Sequence, residues 1–413
     1  MTRALLLAAS IAALALSAAP AVAAETYVPG EVIVKPEDGG ASRVVELDEG
    51  ETVRDAIGEL SDDPDIAYAV PNFIAHASDY APNDPGFPLQ WNLATTPTGI
   101  NMPEAWGIAR RRGAPGGKGV IVAVLDTGVA YQRFGRFRRA PDLKRFVRGY
   151  DFVGGDRHPN DQNGHGTHVS GTIAQSTGNQ LGTAGIAYQA RIMPVRVLDA
   201  RGAGDTLAIS RGIRYAARNG ADVINLSLEF DAAVRSAQIP DVVSALRYAR
   251  GKGAVVVAAA GNQGDPQVAY PARAKNVIAV AATTIRGCQA EYSNSGTHVD
   301  VSAPGGGADA ANTDTPYDAT TCRPDLQGRF IFQQTFVGSV SRFGVPPGYE
   351  GTSMAAPHVS GVAALLISAN RLGANPSPVA VERRLESTAR DIGLPGWDAR
   401  YGWGLLDAAA ALR

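Results

Sequence analysis

From about residue 117 the chain alternates short apolar runs with longer segments of helical period. The runs "GVIVAVLDTGV", "ARIMPVRVLD", "ADVINLSLE", "AVVVAAAGN" and "VIAVAATT" are continuous rather than alternating. Continuous apolar strands are buried on both faces. Between them lie "LAISRGIRYAARNG" and "DVVSALRYARGKG", with apolar positions three and four apart and a glycine at each exit. This order predicts an α/β fold, a parallel sheet flanked by helices on both faces. Such sheets bind ligands at the carboxyl ends of their strands, where Asp126 and Asn262 fall. A last Ala-rich run, "GTSMAAPHVSGVAALLI", predicts a buried helix with Ser353 at its start, in the place of a capping serine.

The first 77 residues have a different pattern. Residues 1–24 carry Arg3, then an apolar run, then small residues ending Ala23-Ala24, the form of a secretory signal peptide. Residues 25–77 predict a small α+β unit: a strand in "GEVIVKP", a helix and turn in "ETVRDAIGELSDDPDIA", and a final strand in "AYAVPNFIAHA". The Pro/Asp-rich "ASDYAPNDPG" then leads into the main domain, residues 78–413.

Charge separates the two parts. Residues 25–77 hold 13 Asp/Glu against 3 Lys/Arg, a net of −10, and residues 78–413 hold 34 Lys/Arg against 27 Asp/Glu, a net of +7. Opposite charge favours docking of one on the other. With 45% hydrophobic and 19% charged residues, the 413-residue chain has the composition of a compact globular protein, not of a disordered or nucleic-acid-binding one. The basic stretch "YQRFGRFRRAPDLKRFVRG" reads as a solvated loop or a dock for the acidic unit. No stretch beyond the first segment is long and apolar enough to span a bilayer. Export would bring Cys288 and Cys322 into an oxidising compartment, where one disulfide between them is expected; the alternative is two buried thiols.

Three segments carry candidate chemistry. "VLDTGV" places Asp126 just past a buried strand, "NGHGTHVSGT" sets His165 between glycines at a helix start, and "GTSMAAPH" does the same for Ser353. A serine nucleophile needs a base to take its proton, and the base needs a buried carboxylate to fix its tautomer. "AAAGNQG" adds Asn262, whose amide is a donor suited to a developing oxyanion, with the Ser353 backbone N–H as the second donor. Each segment alone is weak, because Asp and Asn often end strands and serines often cap helices.

Together, "DTGV", "GHGTHVSGT", "AAAGN" and "GTSMAAPHVSG", in that order, resemble the subtilase family of serine proteases. The resemblance runs from about Asp84 to the closing "YGWGLLDAAAAL". It implies a secreted endopeptidase in which Asp126 orients His165, His165 is the general base, Ser353 the nucleophile and Asn262 the oxyanion donor. His168 and His358 share these motifs without a catalytic role in the family. The resemblance also makes residues 25–77 an inhibitory propeptide, removed by self-cleavage between about Ala75 and Asp84. A monomer is expected.

Substrate and metal positions follow from the same resemblance. Peptides would bind in extended form along Gly202-Ala203-Gly204 and Ser227-Leu228-Glu229, with Ala259, Ala260, Gly261 and Ala269 as pocket walls suited to apolar or aromatic side chains. Glu229 departs from the family, which usually has Gly there. It either faces the pocket and favours Lys or Arg in the substrate, or faces solvent. A structural calcium ion would take oxygens from Asp84, Asp142, the Asn179 side chain, and the carbonyls of Thr177, Leu181 and Thr183.

Overall fold

The computed structural model describes residues 27–48, 50–73, 80–311 and 322–413. The chain divides into two compact units, Met1–Ala77 and Ser78–Arg413. In the first, β1 (Tyr27–Pro36) pairs antiparallel with both β2 (Arg43–Glu46) and β3 (Ile66–Phe73), and α1 (Val53–Ser61) completes the unit. Thr52 caps α1, its hydroxyl accepting from the Asp55 N–H at 3.2 Å. Val32, Val34, Val53, Ala56 and Ala69 form its small core. Strand β2 has no clear period in the sequence, and residues 74–77 of the expected last strand lie outside the described residues.

The second unit is built on a seven-stranded parallel sheet. Its elements include α2 (Met102–Arg111), β4 (Ile121–Asp126), β5 (Tyr150–Asp151), α3 (His165–Ala174), β6 (Arg191–Arg196), α4 (Thr206–Arg218), β7 (Val223–Leu226), α5 (Pro240–Gly251), β8 (Val255–Ala259), β9 (Ile278–Thr283) and β10 (Val301–Pro304). After a short hairpin, β11 (Thr335–Phe336) with β12 (Phe343–Gly344), come α6 (Thr352–Ser368), α7 (Pro378–Ser387) and α8 (Ala408–Leu412). The sheet order is β10-β9-β8-β7-β4-β6-β5. The continuous apolar runs serve both faces. Val122 and Val124 join the core beneath α3 and α6, while Ala123 and Leu125 join the core beneath α4 and α5. Each fully buried Val, Leu or Ile contributes about 1.5–3 kcal/mol, so both faces are strongly specified. Strands β5 and β10 were not signalled by an apolar run, being only two and four residues long.

Helix α6 runs through the larger core against β7 to β10 and is buried nearly all round. It contains Pro357, which has no N–H to give the carbonyl four residues back, that of Ser353. The Ser227 hydroxyl takes that place, donating to the Ser353 carbonyl at 2.8 Å. The end of β7 is thereby tied to the start of α6. Cys288 and Cys322 form a disulfide, with Cα atoms 5.8 Å apart. The basic stretch is a loop closed by a bridge between Phe134 and Phe137, with Phe134 stacked on His158. Among the described residues no helix is long and apolar enough to cross a membrane.

Candidate active site

Asp126 is the last residue of β4 and is fully buried. Its Oδ1 accepts from the Thr127 N–H at 2.7 Å and from His165 Nδ1 at 2.8 Å. His165 opens α3. A carboxylate acceptor makes Nδ1 the protonated nitrogen and leaves Nε2 with its lone pair free. Burial alone would lower the His165 pKa, but the Asp126 charge and hydrogen bond, with help from Asp161, outweigh it and raise the pKa.

The approach of α3 to β4 depends on Gly166. A Cβ there would sit 2.1 Å from the Gly128 carbonyl oxygen and 3.0 Å from Asp126. The glycine beside the histidine thus serves packing of the helix on the strand end. Asp161 lies behind both segments. It is fully buried and accepts from Thr127 Oγ1, Asn163 N, Gly164 N, Thr167 N and Thr167 Oγ1. The sequence reading missed it. Its signal was the aspartate of "NDQNGHG", whose partners become evident only once β4 and α3 are adjacent.

Ser353 is the second residue of α6, not its cap. The cap position is Gly351, at φ 146°, a backbone geometry that favours glycine. The capping bond comes from Asn262, whose Oδ1 accepts from the Thr352 N–H at 2.8 Å and the Thr352 hydroxyl at 2.9 Å. This fixes which end of the Asn262 amide is oxygen. The Ser353 N–H has no acceptor among the described residues. The Ser353 hydroxyl donates to the Ser227 carbonyl at 3.2 Å.

His165, Asn262 and Ser353 face one cavity of about 470 Å³, with Ser227, Leu228, Glu229 and Phe230 on one side and Gly202, Ala203 and Gly204 on another. Both of these last segments are loops that follow strands β6 and β7. Ala259, Ala260 and Ala269 are fully buried behind the cavity, and neither they nor Gly261 line it. Its apolar lining comes from Leu198, Ile209, Leu228 and Phe230. Glu229 is half-buried and lines the cavity, with both carboxyl oxygens engaged by neighbouring amides. Its Oε2 accepts from Asn262 Nδ2 at 3.0 Å and its Oε1 from Gln263 Nε2 at 2.8 Å. Burial raises its pKa to about 7, against the lowering effect of those hydrogen bonds. His168 and His358 are fully buried, and burial lowers them to about 3 and about 4, so both are neutral core residues.

The expected metal residues meet at a separate place. Asp84 and Asp142 are both buried, and the Asp84 charge adds to the burial that raises the Asp142 pKa. Asp84 accepts from the N–H groups of Gly178 and Asn179, and Lys144 Nζ lies 3.5 Å from Asp142. The carbonyl oxygens of Thr177, Leu181 and Thr183 accept no hydrogen bond from any described residue. Two buried carboxylates and three free carbonyls are hard oxygen donors that fit calcium. Asn179 is the exception, giving Asp142 an amide N–H at 2.7 Å rather than offering an oxygen.

Residues 117–404 match the model of the subtilase family. The chain is 38% identical over 314 residues to thermitase of Thermoactinomyces vulgaris, covering 76% of this chain and 93% of thermitase. It is 37% identical over 352 residues to a thermophilic serine proteinase of Bacillus sp. (strain AK1), covering 85% of this chain and 74% of that protein. Among solved structures, a protease from Pseudoalteromonas arctica PAMC 21717 matches with a TM-score of 0.65 and 34% identity, over 81% of this chain and 99% of that one. The parallel sheet and these matches are those of a serine-type endopeptidase. The chain belongs to the subtilase family.

Proposed function

We propose that the protein is an exported endopeptidase, made as a self-cleaving precursor, that hydrolyses peptide bonds through an acyl-enzyme. The observation that carries this reading is the Asp126–His165 pair, with Ser353 and Asn262 opening on the same cavity as His165. The Ser353 oxygen attacks the substrate carbonyl as its proton passes to His165 Nε2. Asp126 holds Nδ1–H and stabilises the imidazolium. The tetrahedral oxyanion takes the free Ser353 N–H and a side-chain N–H of Asn262. His165 then gives its proton to the leaving amine, and water, activated by the same nitrogen, releases the acyl group. Attack requires the Ser353 hydroxyl to leave the Ser227 carbonyl it now faces.

The apolar lining of the cavity suits apolar or aromatic substrate side chains. Residues 25–77 act as the propeptide, and residues 1–24 direct export. The apolar leader and the Cys288–Cys322 bridge support an oxidising compartment. Calcium, held by Asp84, Asp142 and the carbonyls of Thr177, Leu181 and Thr183, would join the N-terminal segment of the main unit to the 177–183 loop. It supplies charge neutralisation to the fold and has no part in the chemistry.

The test is the Ser353→Ala variant. It should accumulate with residues 25–77 attached, and the purified variant should lose all but a residual fraction of peptide hydrolysis, a fall of about 10⁶ in kcat, the size known for subtilisin. Loss of residues 25–77 from that variant on its own, with casein still hydrolysed, would refute the assignment.

A further inference from the structure

Glu229 and Asn262 come from successive strand ends, after β7 and β8, and meet across the floor of the catalytic cavity. The Asn262 oxygen is committed to Thr352 at the start of α6. Its nitrogen must therefore face Glu229 and the cavity. That nitrogen carries two hydrogens. One goes to Glu229 Oε2, and the other has no acceptor among the described residues, which leaves it for a substrate oxygen. Gln263 holds the second carboxyl oxygen, so the Glu229 side chain is fixed at both ends.

We propose that Glu229 is a positioning residue of the oxyanion site: its carboxyl orients the Asn262 amide, and acylation draws on the form in which that carboxyl is uncharged. This rests on the protease reading above. As a neutral acid, Glu229 still accepts the Asn262 hydrogen through its carbonyl oxygen and keeps the amide aimed. As a carboxylate, it places a negative charge one hydrogen bond from the donor that must receive another negative charge. At that range, in a partly dry cavity, the repulsion outweighs the gain from one stronger hydrogen bond.

The charged or titratable groups on the surrounding elements do not supply a counter-charge. They are His165 at the start of α3, Arg201 bound to Asp199, Asp205 ahead of α4, Asp231 two residues beyond Glu229, and Asp265 after β8. The start of α6 brings Ser353 and no charge. Burial is the largest influence on Glu229, and the remainder are hydrogen bonds from Asn262 and Gln263. Its proton is accordingly held up to about pH 7. His165 must lose its own proton first to act as base, so the two titrations act in opposite directions.

The test measures kcat and KM against pH on a peptide anilide with an uncharged side chain before the scissile bond. Wild-type kcat should follow a bell, limited on the acid side by protonated His165 and on the alkaline side by ionised Glu229, whose proton is held up to about pH 7. Glu229→Gln, which keeps the shape and the accepting oxygen, should remove the falling limb and raise kcat at alkaline pH about tenfold, with KM changed less than about twofold. Glu229→Gly should also lack the falling limb, with kcat below that of Glu229→Gln because the amide is no longer aimed. In an Asn262→Ala background the Gln substitution should have no effect. A falling limb kept in Glu229→Gln, or a gain that persists without Asn262, would overturn the proposal. Wild-type protein inert toward every peptide and indistinguishable from Ser353→Ala would instead overturn the protease reading itself.

Discussion

Gly166 has no side chain, and the fold leaves no room for one. A methyl group there would sit 2.1 Å from the Gly128 carbonyl oxygen and 3.0 Å from the Asp126 side chain. Gly166→Ala must therefore push α3 away from β4, and with it His165 from Asp126. A shift of about 1 Å at a catalytic group costs about 10²-fold, so kcat of Gly166→Ala should fall by at least that factor, measured on the processed enzyme. Unchanged kcat would show that the pair does not depend on this contact. The residue type was visible in "GHGTH", but its reason was not. That reason is room for the end of a strand and the turn after it. Ser353 carries the same lesson. A serine opening an apolar helix reads as a cap, yet Asn262, just past β8, performs the capping and leaves the Ser353 N–H without a partner among the described residues.

Helices and strands are coupled here by groups that neither needs alone. Pro357 breaks one bond of α6, and Ser227 at the end of β7 repairs it from outside. An unsatisfied buried carbonyl costs about 1–3 kcal/mol. Ser227→Ala should therefore destabilise the main unit by about that much in urea, measured in the Ser353→Ala background to avoid autolysis. In a Pro357→Ala background the restored N–H at position 357 serves the Ser353 carbonyl, and the cost of Ser227→Ala should drop by about 1 kcal/mol. Equal costs in the two backgrounds would remove the coupling. The five inner strands of the main sheet and the helices α4 to α6 were legible because their apolar runs bury both faces or have a clear period. Strands β2, β5 and β10 were not, because they are sheet edges defined by their pairing partners rather than by composition.

Across the whole second unit, distant segments converge on Asp142. Asp84 comes from before the first helix, and the 177–183 loop from after α3. A cation there would bind only the folded form. At a concentration about 100-fold above its dissociation constant it stabilises by about 2.7 kcal/mol. Removing it with a chelator should lower Tm by a few degrees, and Asp142→Ala should have a lower Tm that chelation no longer changes. An unaffected wild-type Tm would remove the metal. At this scale the buried His168 and His358 belong to the core rather than the chemistry, as their lowered pKa values indicate.

The sequence by itself determined the five inner strands of the main sheet, their burial on both faces, and the candidate positions Asp126, His165, Asn262 and Ser353. These are marked by apolar period and by motifs that depend only on neighbours along the chain. Tertiary structure alone decided what each polar group faces. Asp161 gathers five donors, Asn262 caps α6, Ser227 completes the bonding of Ser353, and Glu229 takes the Asn262 amide. The physical reason is directional. Burial is additive along a sequence and shows in composition, whereas a hydrogen bond needs its partner at about 3 Å and at the right angle. Only the packed strand ends supply both.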